Sequence, residues 1–192
     1  MFDVFAKHMK GRLTTNELRQ LEARATFKKL RRRQVLLQEG EIGQHKVFVT
    51  KGLLRAFFLA DDGTEHILRF AAENTWIADH ESYHKGTPAK YNIDALEDSE
   101  LLLWARKDMR ELMDTIPALQ AYTNSLMAGV MDQLVHRNLM NISYTSEAKY
   151  EDFIKTYPDI FQRVPLHMVA SFLGVSRETL TRIRHASPLK HS

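Results

Sequence analysis

VPLHMVASFLGVSRETLTRIRH, residues 164–185, decides how the rest of this sequence is read. Pro165 stands where the first turn of a helix tolerates a residue without an N–H. Val169, Ala170 and Leu173 share a face, and Gly174 falls where a helix end calls for a left-handed residue. Val175 plugs the turn. Ser176 is an N-cap for a second helix with Thr179 at its third position, so the capping box is incomplete and the cap is one-sided. Leu180 and Ile183 then turn inward. The small Ala170 lets two helices cross closely, the turn glycine follows four residues later, and apolar residues recur at 169, 173, 175, 180 and 183. This spacing predicts a helix-turn-helix whose second helix is free to enter a major groove. Its outward residues are Arg177, Glu178, Thr181, Arg182 and His185. Arginine can bridge guanine O6 and N7, and glutamate can accept from cytosine N4. The bland alternative is an ordinary helical hairpin.

The charge distribution favours the sharper reading. The formal net charge is only +3, which does not by itself name a polyanionic partner. From Gln162 to the end, however, the basic residues are Arg163, Arg177, Arg182, Arg184 and Lys190, against the single acid Glu178. The other basic run, KKLRRR at 28–33, reads as a solvated face.

Upstream of this pair, Ser146 is expected to cap EAKYEDFIKTY, which stops at Pro158. Before it, 107–141 reads as helix with a break at Pro117, which ends a short helix or opens the next. Beyond that proline, Leu119, Leu126, Val130, Leu134, Val135 and Leu139 form an apolar stripe. A helix this long with so wide a stripe pairs readily with its own copy, so dimerisation is expected, with packing on its own chain as the alternative. From Gln34 to Leu103 the pattern changes to short apolar or alternating runs: VLLQ, KVFVT, LLRAFFL, HILRF, TWIA, YNIDAL and LLLW. Turn signals separate them, with Asp61-Asp62-Gly63 the cleanest hairpin. Six or seven strands so spaced predict a compact antiparallel sandwich or roll. Thr14 to Glu17 supplies cap residues for a short helix carrying Leu18 and Leu21.

Composition bounds the function classes. With 44% apolar and 27% charged residues the chain can bury a core and keep a soluble surface. There is no run of about 18 apolar residues that would span a bilayer, and MFDVFAKHMKGRL lacks the features of a secretory signal. The absence of cysteine removes disulfides, thiolate nucleophiles and cysteine-ligated iron–sulfur or zinc sites. A cytoplasmic protein without a membrane partner is the expectation.

One short motif points elsewhere. HESYH, 80–84, spells H-E-x-x-H, with His80 and His84 spaced to share a zinc ion on a helix and Glu81 placed as a general base. A metal-binding protein or metalloenzyme built on His80, Glu81 and His84 is therefore the alternative function. It is weak: Gly86-Thr87-Pro88 ends any helix early, Thr87 takes the glycine position of the extended motif, and nine histidines make a chance match unsurprising.

SRETLTRIRH resembles the recognition helix of the cyclic-AMP receptor protein and fumarate–nitrate regulator (Crp/Fnr) superfamily, and ALEDSELL, 95–102, is similar to the phrase that closes that family's effector roll. The order of roll, long helix and helix-turn-helix also matches, over nearly the whole chain. The resemblance implies an α+β fold: an antiparallel β-roll of the cyclic-nucleotide-binding-like jelly-roll type over 1–105, a dimerisation helix over 106–142 and a DNA-binding domain over 143–192. It implies a transcription regulator that is not an enzyme and reads TGTGA-like palindromes. Arg177, Glu178 and Arg182 match that family's base-reading residues; Ser176, Thr179, Thr181 and Arg184 are expected as further DNA-binding residues, with Lys190 as another phosphate contact. Implied partners are double-stranded DNA, a second copy of the chain, RNA polymerase and a small-molecule effector of unknown identity. A β-wing after the recognition helix is not expected.

In cyclic-nucleotide-binding relatives a Gly-Glu pair opens a phosphate cassette and an Arg-Ser-Ala triplet closes it. Counting back from ALEDSELL, these fall on Ala78 and Asp79 and on Ala89, Lys90 and Tyr91. The phosphate arginine is thus missing, and an ammonium at Lys90 is no bidentate substitute. Ordinary cyclic AMP is therefore not expected as ligand. Haem through histidine is not favoured by any residue pattern.

Overall fold

The computed structural model describes residues 1–186. Two short helices, α1 (Phe2–His8) and α2 (Thr15–Ala23), precede the strands β1 (Thr26–Leu30), β2 (Val35–Leu37), β3 (His45–Lys51), β4 (Leu54–Leu59), β5 (Glu65–Ala71) and β6 (Trp76–Ile77). Helix α3 (His80–Lys85) leads to β7 (Asn92–Ala95) and β8 (Ser99–Ala105). Six helices follow: α4 (Arg106–Thr115), α5 (Pro117–Ser143), α6 (Ser146–Thr156), α7 (Pro158–Arg163), α8 (Leu166–Leu173) and α9 (Arg177–Ala186).

The strands form two antiparallel four-stranded sheets, ordered β1-β8-β3-β6 and β2-β7-β4-β5. Period-two alternation explains how they pack. In β3, Val47 and Val49 point between the sheets and Phe48 points out; in β8, Leu101 and Leu103 point in while Leu102 and Trp104 point out. Both faces of these strands are covered, which is why LLLW is apolar throughout. The outer face is covered by α1, α2, α4 and the start of α5, through Phe2, Phe5, Met9, Leu21, Met109, Leu112 and Leu119. Trp104 is fully buried, and its indole N–H donates to the Leu21 carbonyl at 2.8 Å. Each large side chain so buried contributes about 1.5–3 kcal/mol of gross transfer free energy.

Several local expectations hold. Asp62-Gly63 turns β4 into β5, with Gly63 at φ 82° and the Thr64 N–H on the Asp62 carboxylate. Thr14 and Glu17 make a complete capping box on α2. Pro117 opens α5, so the 106–142 stretch contains two helices with a break between them.

Four details differ. The basic residues of KKLRRR are all exposed, as a solvated face requires, but the run also enters the sheet: Lys28, Lys29 and Leu30 belong to β1, which pairs with β8, and the outward Lys29 meets Glu100 at 3.1 Å. The first residues form a helix whose Phe2, Phe5 and Met9 are core. Pro158 starts α7 rather than only stopping α6. The cap of α6 is Thr145, one residue before the serine expected, its hydroxyl accepting from the Ala148 N–H.

Candidate nucleic-acid interface

Helix α8 ends at Gly174, at φ 66° and ψ 36°, and the Val175 N–H returns to the Ala170 carbonyl at 3.0 Å. Ser176 then accepts from the Thr179 N–H at 3.0 Å and starts α9. Val169, Ala170, Leu173, Leu180 and Ile183 are buried together against Tyr150 and Phe153 of α6. The opposite face of α9 carries Arg177, Glu178, Arg182, Arg184 and His185, all exposed, with Ser176 exposed ahead of it and Thr179 and Thr181 half-buried. Thr181 donates its hydroxyl to the Arg177 carbonyl at 2.8 Å. Arg177, Arg182 and Arg184 have no carboxylate partner among the described residues. The seven positions expected to contact DNA therefore lie together on one exposed helix and its cap. Lys190 lies outside the described residues.

Arg163 has a different place from the one its charge suggested. Its guanidinium holds Glu73 (2.8 and 3.1 Å) and Glu97 (2.6 and 3.0 Å), tying α7 to the loops beside β5 and β8. This cation is already neutralised. Two further contacts dock the helix pair on the roll. The Ser171 hydroxyl donates to the Glu65 carbonyl and accepts from the Ile67 N–H, at 2.7 and 2.9 Å. Arg137 of α5 donates to the carbonyls of Ile67, Leu68 and Phe172, and its guanidinium lies 4.3 Å from the Phe172 ring centre. Burial pushes the Arg137 pKa down. Neither Arg137 nor Arg163 could be placed from the sequence, because their partners lie far away along the chain.

The five effector-pocket candidates gather at one corner of the roll, but their polar groups are largely committed. Asp79 is buried and caps α3, accepting from the N–H groups of Ser82 (2.9 Å) and Lys90 (3.3 Å). Ala89 is buried, its backbone paired with Gly40 and Glu41. The Lys90 ammonium is exposed and sits 2.6 Å from Glu81, which also meets Lys85. The Tyr91 hydroxyl lies 3.4 Å from the Ala78 carbonyl, and burial pushes its pKa up to about 12. Lys90 thus offers no cation to the inside of the roll.

His80 and His84 have ring centres 4.3 Å apart on the six-residue α3, which ends at Gly86 with φ 71°. Burial holds both imidazoles below their ordinary pKa. No group of three or more His, Asp or Glu side chains placed to hold a metal ion occurs among the described residues.

A cavity of about 840 Å³ opens between the roll and α5, with walls from α1, β3, β6, α4 and α5. Ala78 and His80 reach it, as do Lys46 and Arg69, which sequence reasoning passed over. The signal for Arg69 was a charge inside the apolar run HILRF. A second cavity, about 470 Å³, lies between β5, α5, α6 and α8 and also touches Arg69.

Among the described residues no helix is long and apolar enough to cross a membrane. Residues 27–116 match the model of the cyclic nucleotide-binding domain family. No curated protein matches the sequence. Solved structures do match. The catabolite activator protein of Thermus thermophilus is 22% identical, with 93% of this chain and 85% of that one covered at a TM-score of 0.60. FixK2 of Bradyrhizobium japonicum is 16% identical over 84% and 83%, at 0.74. A putative crp/fnr family transcriptional regulator of Eubacterium rectale is 17% identical over 96% and 89%, at 0.72. Residues 27–116 thus match the cyclic nucleotide-binding domain family, and the chain shares the fold of these solved structures, one of them described as a crp/fnr family regulator.

Proposed function

We propose that the chain is a sequence-specific, DNA-binding transcription regulator that acts as a homodimer on a palindromic site and is not an enzyme. The observation that carries this is the exposed face of α9, where Arg177, Glu178 and Arg182 stand without ion-pair partners among the described residues. Arg177 and Arg182 read guanine and Glu178 accepts from cytosine, while Ser176, Thr179, Thr181 and Arg184 serve the backbone and fix register. Residues 1–105 form the sensing roll, 106–142 the dimer element and 143–192 the DNA-binding unit. Dimerisation is supported by Met131, Leu134, Val135, Leu139 and Ile142, which repeat at coiled-coil spacing along α5 and are all exposed, Ile142 at 85%. Two-fold symmetry then sets the recognition helices about 34 Å apart, one turn of duplex. The roll senses something other than ordinary cyclic AMP, because Ala89 stands where relatives place the phosphate arginine and Lys90 is turned to Glu81.

The test is fluorescence anisotropy of a labelled TGTGA-type palindrome and a scrambled duplex across a salt series, with and without cyclic AMP. Salt-sensitive binding that prefers the palindrome and ignores the nucleotide is expected. Equal affinity for both duplexes would remove the base-reading roles, and binding that needs cyclic AMP would overturn the reading of the cassette.

A further inference from the structure

His8 closes α1, and its ring nitrogen Nε2 lies 3.0 Å from the Tyr122 hydroxyl of α5. That hydroxyl also accepts from the Trp76 indole N–H of β6 at 3.1 Å. An indole nitrogen can only donate, so the tyrosine proton is left for the imidazole, which must accept it as a neutral ring protonated on Nδ1. Burial pushes the Tyr122 pKa up, so that proton stays on the phenol. Three elements distant in sequence thus meet at one oxygen. The surroundings favour the neutral imidazole. His8 is half-buried, with the Phe48 ring centre 5.3 Å from its own. Arg12 lies over the Tyr122 ring, 5.3 Å from its centre, so the aromatic face that could stabilise an imidazolium already holds a cation. On α1 itself the charged residues are Asp3 and Lys7, both exposed. The other titratable groups on the wall that His8 shares are Lys46 of β3, Arg69 of β5, and His80 and Tyr83 of α3. Helix α4 presents only Met109 there, α5 carries no charged side chain before Asp132, and no aspartate or glutamate lines this wall among the described residues. Burial first, and Arg12 second, hold the His8 pKa below its ordinary value.

We propose that this hydrogen-bonded chain is a pH-sensitive clasp, which fastens α1 to α5 and β6 while His8 is neutral and releases α1 in mild acid. Protonation gives Nε2 a hydrogen of its own, so the Tyr122 proton must turn away and its oxygen is left accepting twice. It also adds a charge beside Arg12 with no carboxylate to meet it. A base that folding holds neutral contributes its stability above the ordinary imidazole range, about pH 6.5, and loses it as pH falls through the lower folded-state value. Release uncovers core. Phe5 of α1 packs on Phe48, Trp76 and Trp104, with ring centres 5.1, 5.8 and 5.1 Å away, and Phe2 and Met9 join the same cluster. Leu119 and Tyr122 of α5 belong to that cluster too. A proton at His8 therefore bears on how the long helix sits against the roll. The clasp depends neither on what the roll binds nor on any contact with DNA.

Hydrogen–deuterium exchange of the intact protein at about pH 7.5 and about pH 5.5 tests this, with β8 amides correcting for the effect of pH on exchange itself. Relative to β8, wild-type α1 is expected to lose about threefold or more of its protection in acid. His8→Gln keeps a neutral acceptor for Tyr122 at both pH values and should remove the response. Tyr122→Phe should leave α1 weakly protected at both. Equal wild-type protection at the two pH values would overturn the proposal, as would a His8→Gln protein that responds like wild type. Should the variants not fold, NMR titration of the wild-type His8 ring decides. A midpoint below that of ordinary imidazole, with the Trp76 indole proton shifting in step, supports the clasp, and a midpoint at or above it overturns the clasp.

Discussion

A guanidinium that bridges two acceptors on one guanine loses both hydrogen bonds when truncated. Arg182→Ala should therefore cost about 1–3 kcal/mol on the preferred duplex and much less on one already altered at the matching base. Anisotropy against single-base variants of the half-site checks this, and an equal loss on every duplex would place Arg182 on phosphate. Gly174 answers to backbone geometry alone. A Cβ there would meet no atom within 4 Å, yet φ is 66°. Gly174→Ala should lower stability by about 1 kcal/mol, and Gly174→Asn by less, in urea titrations. At this scale the sequence is readable where the physics is local: Gly174, Ser176, Leu180 and Ile183 lie where their spacing put them. Arg69, Arg137 and Arg163 were not readable. Arg137 and Arg163 owe their roles to partners 35 to 90 residues away, and Arg69 lines two cavities that exist only once the helices have docked on the roll.

The contact between α7 and the roll should respond to acid. Burial alone would raise the Glu73 carboxyl pKa, but hydrogen bonds from Arg163 and from the Gly52 N–H outweigh it and hold the group below its ordinary value. A carboxylate depressed in the folded state contributes its stability above the unfolded pKa and loses it as pH falls through the folded one. Arg163→Gln should thus cost about 1 kcal/mol near neutrality, and the gap in Tm from wild type should narrow below about pH 4. A constant gap in calorimetry would show that Arg163 acts through packing. Elements were legible where a pattern ran long enough, as in β3, β4, β8 and α5. The strand β1 was hidden because four of its five residues, two of them lysines, are exposed and only Leu30 joins the core. Helix α1 is too short for its periodicity to register, although Phe2 and Phe5 prove to be core residues.

For the whole molecule, the exposed apolar row on α5 carries the proposed two-fold. Leu134→Asp combined with Val135→Asp should give a single-chain mass in light scattering and abolish selective palindrome binding, while the circular dichroism of the roll persists. A variant that stays dimeric would place the interface elsewhere. The α+β plan and its order of units could be seen in advance. The docking of the terminal helices on β5 could not, because it depends on a surface that exists only once the strands have paired.

That docking leaves the terminal helices without a private core. Leu53, Phe57, Ile67 and Phe70 of the roll lie in the same buried cluster as Tyr150, Phe153, Leu173 and Leu180. A chimera spliced at Ser143, joining these terminal helices to a foreign roll, would leave both halves with unmatched apolar surface. These helices cannot be exchanged as a module, and on the proposed function a change of operator must be made by substituting outward residues on α9 while the seam beneath them stays as it is.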